Sequence, residues 1–178
     1  MAHFAVSAMG ADRPGIVAAV TAVLVEQGCN LEDTQMAVLR GHFAMMLVVS
    51  GPADLAAARL EEALTAAAAG FELVVAVRAI DDTVPASPAG APWSVAVYGA
   101  DRPGIVHAVT SLLADAGANV VGVETRVIGE STRPVYAMLL DVTVPDAVDG
   151  DALADRLAQQ AKELGVECSM HATEADIF

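Results

Sequence analysis

Apolar and polar residues alternate along this chain in two rhythms, one of strands and one of helices, and the two succeed each other in a fixed order. Phe4-Ala5-Val6-Ser7-Ala8-Met9 reads as a short buried strand ending at Gly10. Ile16, Val17, Val20, Val23 and Leu24 then repeat at helical spacing, with Asp12 available as N-cap, Pro14 in the first turn and Gly28 as the C-terminal stop. Leu31 to Leu39 and Phe43 to Val49 follow as two strands, joined by a tight turn at Arg40-Gly41-His42. A second helix opens near Pro52-Ala53-Asp54, carries Ala56, Leu60, Ala63, Leu64 and Ala67 on one side and stops at Gly70. Phe71 to Ile80 closes the series as a strand. The order β-α-β-β-α-β predicts an α+β, ferredoxin-like unit: a four-stranded antiparallel sheet with both helices on one face.

The same order then recurs. A strand over Ser94 to Tyr98 leads to a helix from Asp101 to Ala116, stopped at Gly117, and to hairpin strands Val120 to Ile128 and Val135 to Val144. A helix from Asp151 to Leu164, stopped at Gly165, and a strand from Val166 to Thr173 complete it. The recurrence is literal at one place. Gly10-Ala11-Asp12-Arg13-Pro14-Gly15-Ile16-Val17 returns unchanged as Gly99-Ala100-Asp101-Arg102-Pro103-Gly104-Ile105-Val106, and Asn30 returns at the same offset as Asn119. Elsewhere the halves diverge. Between them Asp81 to Pro92 holds Pro85, Pro88 and Pro92 among small residues, a semi-stiff linker that spans roughly 30–37 Å when extended. The expected organisation is residues 1–80 as one domain, 81–92 as linker and 93–178 as a second domain. When Phe43-Ala44-Met45 is aligned with Tyr136-Ala137-Met138, the second hairpin is longer, and 129–134 is expected to protrude as a neutral insertion or as a flap.

Because the duplicated loop leaves a strand and enters a helix, it presents unpaired amides and the positive end of the helix dipole, a setting suited to a carboxylate or other small anion. Gly15 and Gly104 let a ligand or another backbone approach the first turn. A turn and cap alone would account for Gly10, Asp12, Pro14 and Gly15. Arg13 and Arg102 carry a charge that a simple turn does not need. Asn30 and Asn119 offer both donor and acceptor atoms after the helix, either for a small zwitterion lying between two units or for the turn itself.

In both halves, Asp-Arg-Pro-Gly-Ile after the first strand, followed by Gly-x-Asn before the second, resembles the ACT domain, a ferredoxin-like module that binds amino acids and regulates metabolism. The resemblance covers nearly the whole chain outside the linker. Two such domains and little else are similar in layout to the glycine cleavage system transcriptional repressor family, which acts through a partner protein rather than on DNA. The resemblance implies ligand contacts at Asp12, Gly15, Ile16 and Asn30, and at Asp101, Gly104, Ile105 and Asn119. It also implies side-by-side pairing of units at edge strands, within one chain or in a homodimer.

Composition narrows the choice of chemistry. The 178 residues carry a formal charge of −14 with only 9 Lys and Arg, which opposes direct binding to nucleic acid. Although 55% of residues are hydrophobic, charges interrupt every run before the ~20 apolar residues that a membrane span needs. No basic segment precedes an apolar run at the start, so no secretory signal is expected and the cytoplasm is the expected compartment. Cys29 and Cys168 have no partnering spacing and read as packed thiols. His3, His42, His107 and His171 are scattered without ligand spacing, and neither dinucleotide nor P-loop glycine patterns occur, so no metal, cofactor or catalytic residue is expected. The resulting expectation is a non-catalytic sensor of an amino acid that signals by contact with a partner protein. The alternatives are a separately encoded regulatory subunit of an amino-acid biosynthetic enzyme and a small ferredoxin-like phosphate hydrolase. The loop carboxylates Asp12 and Asp101 oppose the last by repelling a multiply charged phosphate.

Overall fold

A computed structural model describes residues 1–81, 89–128 and 135–173. The expected protrusion at 129–134 and most of the expected linker fall outside the described residues. The chain divides into two compact units, Met1–Pro85 and Ala86–Phe178. In the first, β1 (Ala2–Ala11), α1 (Ile16–Glu26), β2 (Asn30–Leu39), β3 (His42–Gly51), α2 (Ala57–Ala68) and β4 (Val74–Ile80) form a four-stranded sheet in the order β2-β3-β1-β4. In the second, β5 (Ala91–Gly99), α3 (Ile105–Asp115), β6 (Asn119–Ile128), β7 (Val135–Val144), α4 (Gly150–Glu163) and β8 (Val166–Ala172) give β6-β7-β5-β8. All neighbouring strands are antiparallel. Both units are therefore ferredoxin-like, as the hydrophobic pattern predicts.

Strand alternation decides which residues meet the helices. Phe4, Val6 and Ala8 of β1 and Phe43, Met45, Leu47 and Val49 of β3 are buried, and all of these but Ala8 pack with Ile16, Val20, Leu24, Leu60 and Leu64 in one core. Full burial of an aliphatic side chain such as Leu60 or Leu64 is worth about 1.5–3 kcal/mol. In the second unit Val95, Val97, Met138, Leu140 and Val142 meet Ile105, Val109, Leu113, Leu153 and Leu157 in the same way. The edge strand β2 is exposed along its whole length, including Leu31, Met36, Val38 and Leu39.

Several local expectations are corrected. The first helix of each unit starts at Ile16 and Ile105, not at the aspartate, because the preceding Gly15 and Gly104 are left-handed at φ 97° and 98°. A helix cannot run through that conformation, so Asp12 and Asp101 cap nothing and Pro14 precedes the helix. The second helix begins at Ala57, after a turn in which the Leu55 amide donates to the Pro52 carbonyl. Its end passes through a 3-10 turn, Ala69–Phe71, and the left-handed residue that stops it is Glu72 (φ 56°), not Gly70. Strand β4 therefore starts at Val74 rather than Phe71. Strand β5 begins at Ala91, which takes Pro92 out of the expected linker. The first hairpin turns on two residues, Arg40 and Gly41, both at positive φ, while His42 is already paired with Leu39. Bulges between Leu31 and Asp33 and between Val120 and Gly122 have no counterpart in the hydrophobic pattern. Gly28, Gly117 and Gly165 do hold the left-handed helix stops expected of them.

Candidate functional site

The duplicated loops are copies in conformation as well as in sequence. Gly15 (φ 97°, ψ −9°) and Gly104 (φ 98°, ψ −10°) are the N-cap residues, and neither helix has a side-chain cap. The Gly15 and Gly104 carbonyls accept from Ala19 and Ala108 at 2.9 Å, which closes the first turn and leaves its leading amides at the open end. Such an end attracts an anion. Asp12 and Asp101 are exposed beside it, and the Asp12 amide donates to the Gly41 carbonyl at 2.8 Å, tying the loop to the hairpin turn. Ile16 and Ile105 are 2% and 1% exposed, so each can offer a ligand its backbone amide but not its side chain.

Asn30 and Asn119 are exposed and open β2 and β6, as expected, yet they stand far from the loop of their own unit. Asn30 is level with Ser50, and Ser50 with His3 of β1. Asp12 lies nine positions further along the strand direction, about 30 Å at the usual rise. The second unit repeats the distance through Asn119, Thr143 and Pro92. One small ligand cannot touch both groups of a single unit.

The arginines of the loop turn away from the helix end. Arg13 reaches across to the end of the second helix, where its Nη2 pairs with a Glu72 carboxylate oxygen at 2.9 Å and its Nη1 donates to the Gly70 carbonyl at 3.5 Å. Arg102 does the same in its unit, donating to the Leu164 carbonyl at 3.5 Å. A cation at a helix C-terminus satisfies orphan carbonyls and the dipole. The repeated arginine thus has a structural task.

Around the identical loops the surroundings differ, which the sequence reading missed. A Cβ placed on Gly15 would meet the Phe71 ring at 3.6 Å, whereas one on Gly104 would meet nothing within 4 Å. Gly10 is paired with Phe43 and Gly99 with Tyr136, both aromatic rings in their cores. Burial pushes the Tyr136 phenol above its ordinary value; the nearby Asp101 carboxylate pushes the same way, and a hydrogen bond with the Thr125 side chain pulls it back. The alignment of Phe43 with Tyr136 already held the signal, because it exchanges a ring for the same ring bearing a hydroxyl.

The remaining reactive side chains form no constellation. His3 approaches Glu32 at 3.6 Å and His107 approaches Ser111 at 3.3 Å on α3. Among the described residues no group of three or more His, Cys, Asp or Glu could hold a metal ion, and no helix is long and apolar enough to cross a membrane. Cys29 and Cys168 are free and half-buried; burial raises both thiols, that of Cys168 to about 11.

Two four-stranded antiparallel units, each with an open helix end beside a carboxylate, define a tandem ferredoxin-like protein of the α+β class. ACT-domain models match residues 2–78 and 93–161, and the chain belongs to the ACT-domain family, carrying two such domains in tandem. A UPF0237 protein of Methanopyrus kandleri is 45% identical over 78 residues, which cover 43% of this chain and 84% of that protein. The glycine cleavage system transcriptional repressor of Escherichia coli is a homologue, 27% identical over 150 residues, or 84% of this chain and 78% of the repressor. The crystal structure of an unknown protein from Galdieria sulphuraria superposes with a TM-score of 0.82 at 30% identity, covering 97% of this chain and 99% of that one.

Proposed function

We propose that this chain is a non-catalytic cytoplasmic regulator that senses an amino acid and acts by ligand-dependent contact with a partner protein, in the control of glycine or other amino-acid metabolism. The observation that carries the reading is the duplicated loop, held at the same left-handed glycine geometry in both units with its helix end uncapped. ACT membership supports an amino acid as ligand, and similarity to the repressor supports the regulatory setting.

In this reading the first-turn amides, including those of Ile16 and Ile105, take the α-carboxylate, and Asp12 or Asp101 takes the α-ammonium. Gly15 and Gly104 leave room for the ligand's backbone. Asn30 or Asn119, about 30 Å along the sheet from the loop of its own unit, would reach a ligand there only from another ACT domain. Antiparallel addition of one edge strand to its equivalent would bring the asparagine that starts one strand level with the end of the other, beside the loop. An exposed apolar edge such as β2 favours that addition. We infer two domains, residues 1–80 and one that opens with β5 at Ala91, with 81–90 as the connection in place of the expected 81–92. Titration calorimetry of the full chain against the twenty amino acids tests the reading: saturable binding of one or a few is expected, and no heat with any of them refutes it.

A further inference from the structure

We propose that the loop site of the second unit reads its ligand's side chain through the Tyr136 hydroxyl and so selects a neutral polar amino acid, whereas the first unit, with Phe43 and Phe71 around the same loop, does not. The proposal rests on the amino-acid reading above and adds to it a specificity-determining residue. Identical loops would give two equal sites if nothing around them changed. Three positions do change. Phe43, 2% exposed, and Tyr136, 9% exposed, occupy the same place under the loop, each paired with the glycine that ends the first strand. Since Phe fills that place in one unit, the hydroxyl of the other is not required for packing. Met36 and Thr125 stand at the same register, opposite Met45 and Met138, so the second unit replaces a thioether by a hydroxyl next to the phenol.

The third change is one of space. Arg13 and Arg102 grip the carbonyls of Gly70 and Leu164, which makes Gly165 the counterpart of Phe71. The Phe71 ring backs Gly15 at 3.6 Å, while the space beyond Gly104 is open. The second site is thus wider as well as more polar. A phenol can donate its O–H where a phenyl ring cannot, and a donor selects a side chain with an acceptor oxygen. The Asp101 carboxylate, close enough to act on Tyr136, disfavours an acidic one. Serine, threonine, asparagine and glutamine fit these terms.

Calorimetry on the full chain tests this with pairs that exchange a polar group for a methyl of similar size, threonine against valine and asparagine against leucine. The unaltered chain is expected to prefer the polar member of at least one pair. Tyr136→Phe, which copies the first unit and should fold, is expected to weaken that binding about five- to tenfold, the worth of one hydrogen bond, and to leave valine and leucine unchanged. Equal binding of a pair, preference for valine and leucine, or a Tyr136→Phe chain that binds like the parent would each overturn the proposal. A parent chain that binds none of the twenty amino acids refutes the amino-acid reading itself, a result distinct from loss of selectivity alone.

Discussion

Replacing Gly104 separates what the backbone needs from what a ligand needs. At φ 98° and ψ −10° an L side chain is strained whatever the space around it, and the cost is on the order of 1–2 kcal/mol. A Cβ there meets nothing within 4 Å, so no clash adds to the strain. Gly104→Ala should therefore lower the Tm of the second unit by roughly 5–10 °C for a domain of this size without unfolding it, since total stability is about 5–15 kcal/mol. Gly104→Leu should cost nearly the same, because both side chains share the backbone strain and the extra carbons point into open space. Binding should then tell them apart: Ala weakens it, while Leu fills the room left for the ligand's backbone and abolishes it at the second unit. Circular dichroism melts and calorimetry read the two effects. Equal Tm for Gly104→Ala and the parent would refute the strain argument. Undiminished binding by a folded Gly104→Leu chain would place the ligand elsewhere.

Four further outcomes follow from other parts of the chain. With its pKa raised from 9.0 to about 11, the Cys168 thiol should react about a hundredfold more slowly with a disulfide reagent at pH 8 than the same thiol in denaturant; equal rates would contradict its burial. The same shift stabilises the fold fully below pH 9, and that contribution is lost as pH rises toward 11. Lysine at Met36 or Val38 on the exposed strand β2 should abolish pairing of ACT units through that edge, read as a smaller hydrodynamic size or as loss of amino-acid binding; no change in either would exclude β2 as the pairing edge. The purified chain, at −14 with 9 basic residues, should not retard duplex DNA in low salt, and a salt-sensitive shift would overturn the partner-mediated reading.

Hydrophobic periodicity made the element order legible, because the central strands β1, β3, β5 and β7 alternate against helices that cover one face only. The helix starts were not legible. A glycine after Asp-Arg-Pro reads equally well as a first-turn residue or as a left-handed cap, and only the rest of the loop, tied by the Asp12 amide to Gly41, decides between them. The arginines were misread for a related reason. Arg13 meets Glu72 across 59 positions of sequence, and no local pattern announces a contact of that range. The distance between Asn30 and the loop could have been derived from topology alone. A strand, a returning helix and a parallel strand necessarily bring the start of the second strand level with the start of the first, away from the loop at its end.

That separation bears on how such a chain could signal. If a loop and an asparagine of the same unit met, occupancy would be a private event within one domain. Since they stand about 30 Å apart along the sheet, a ligand that engages both must hold two ACT units together, and its binding energy becomes energy of association. A ligand shifts an equilibrium only through its differential affinity for two states; here the states would be paired and unpaired edges. The exposed Leu31, Met36, Val38 and Leu39 of β2 would be covered in the paired state of that proposal and open in the other. Under the proposed function, an amino acid at the loops would thereby control how much apolar edge is left for a partner protein. Divergence of Tyr136 from Phe43, under loops kept identical, would then let the two units set that control by different ligands while sharing one way of gripping an α-carboxylate.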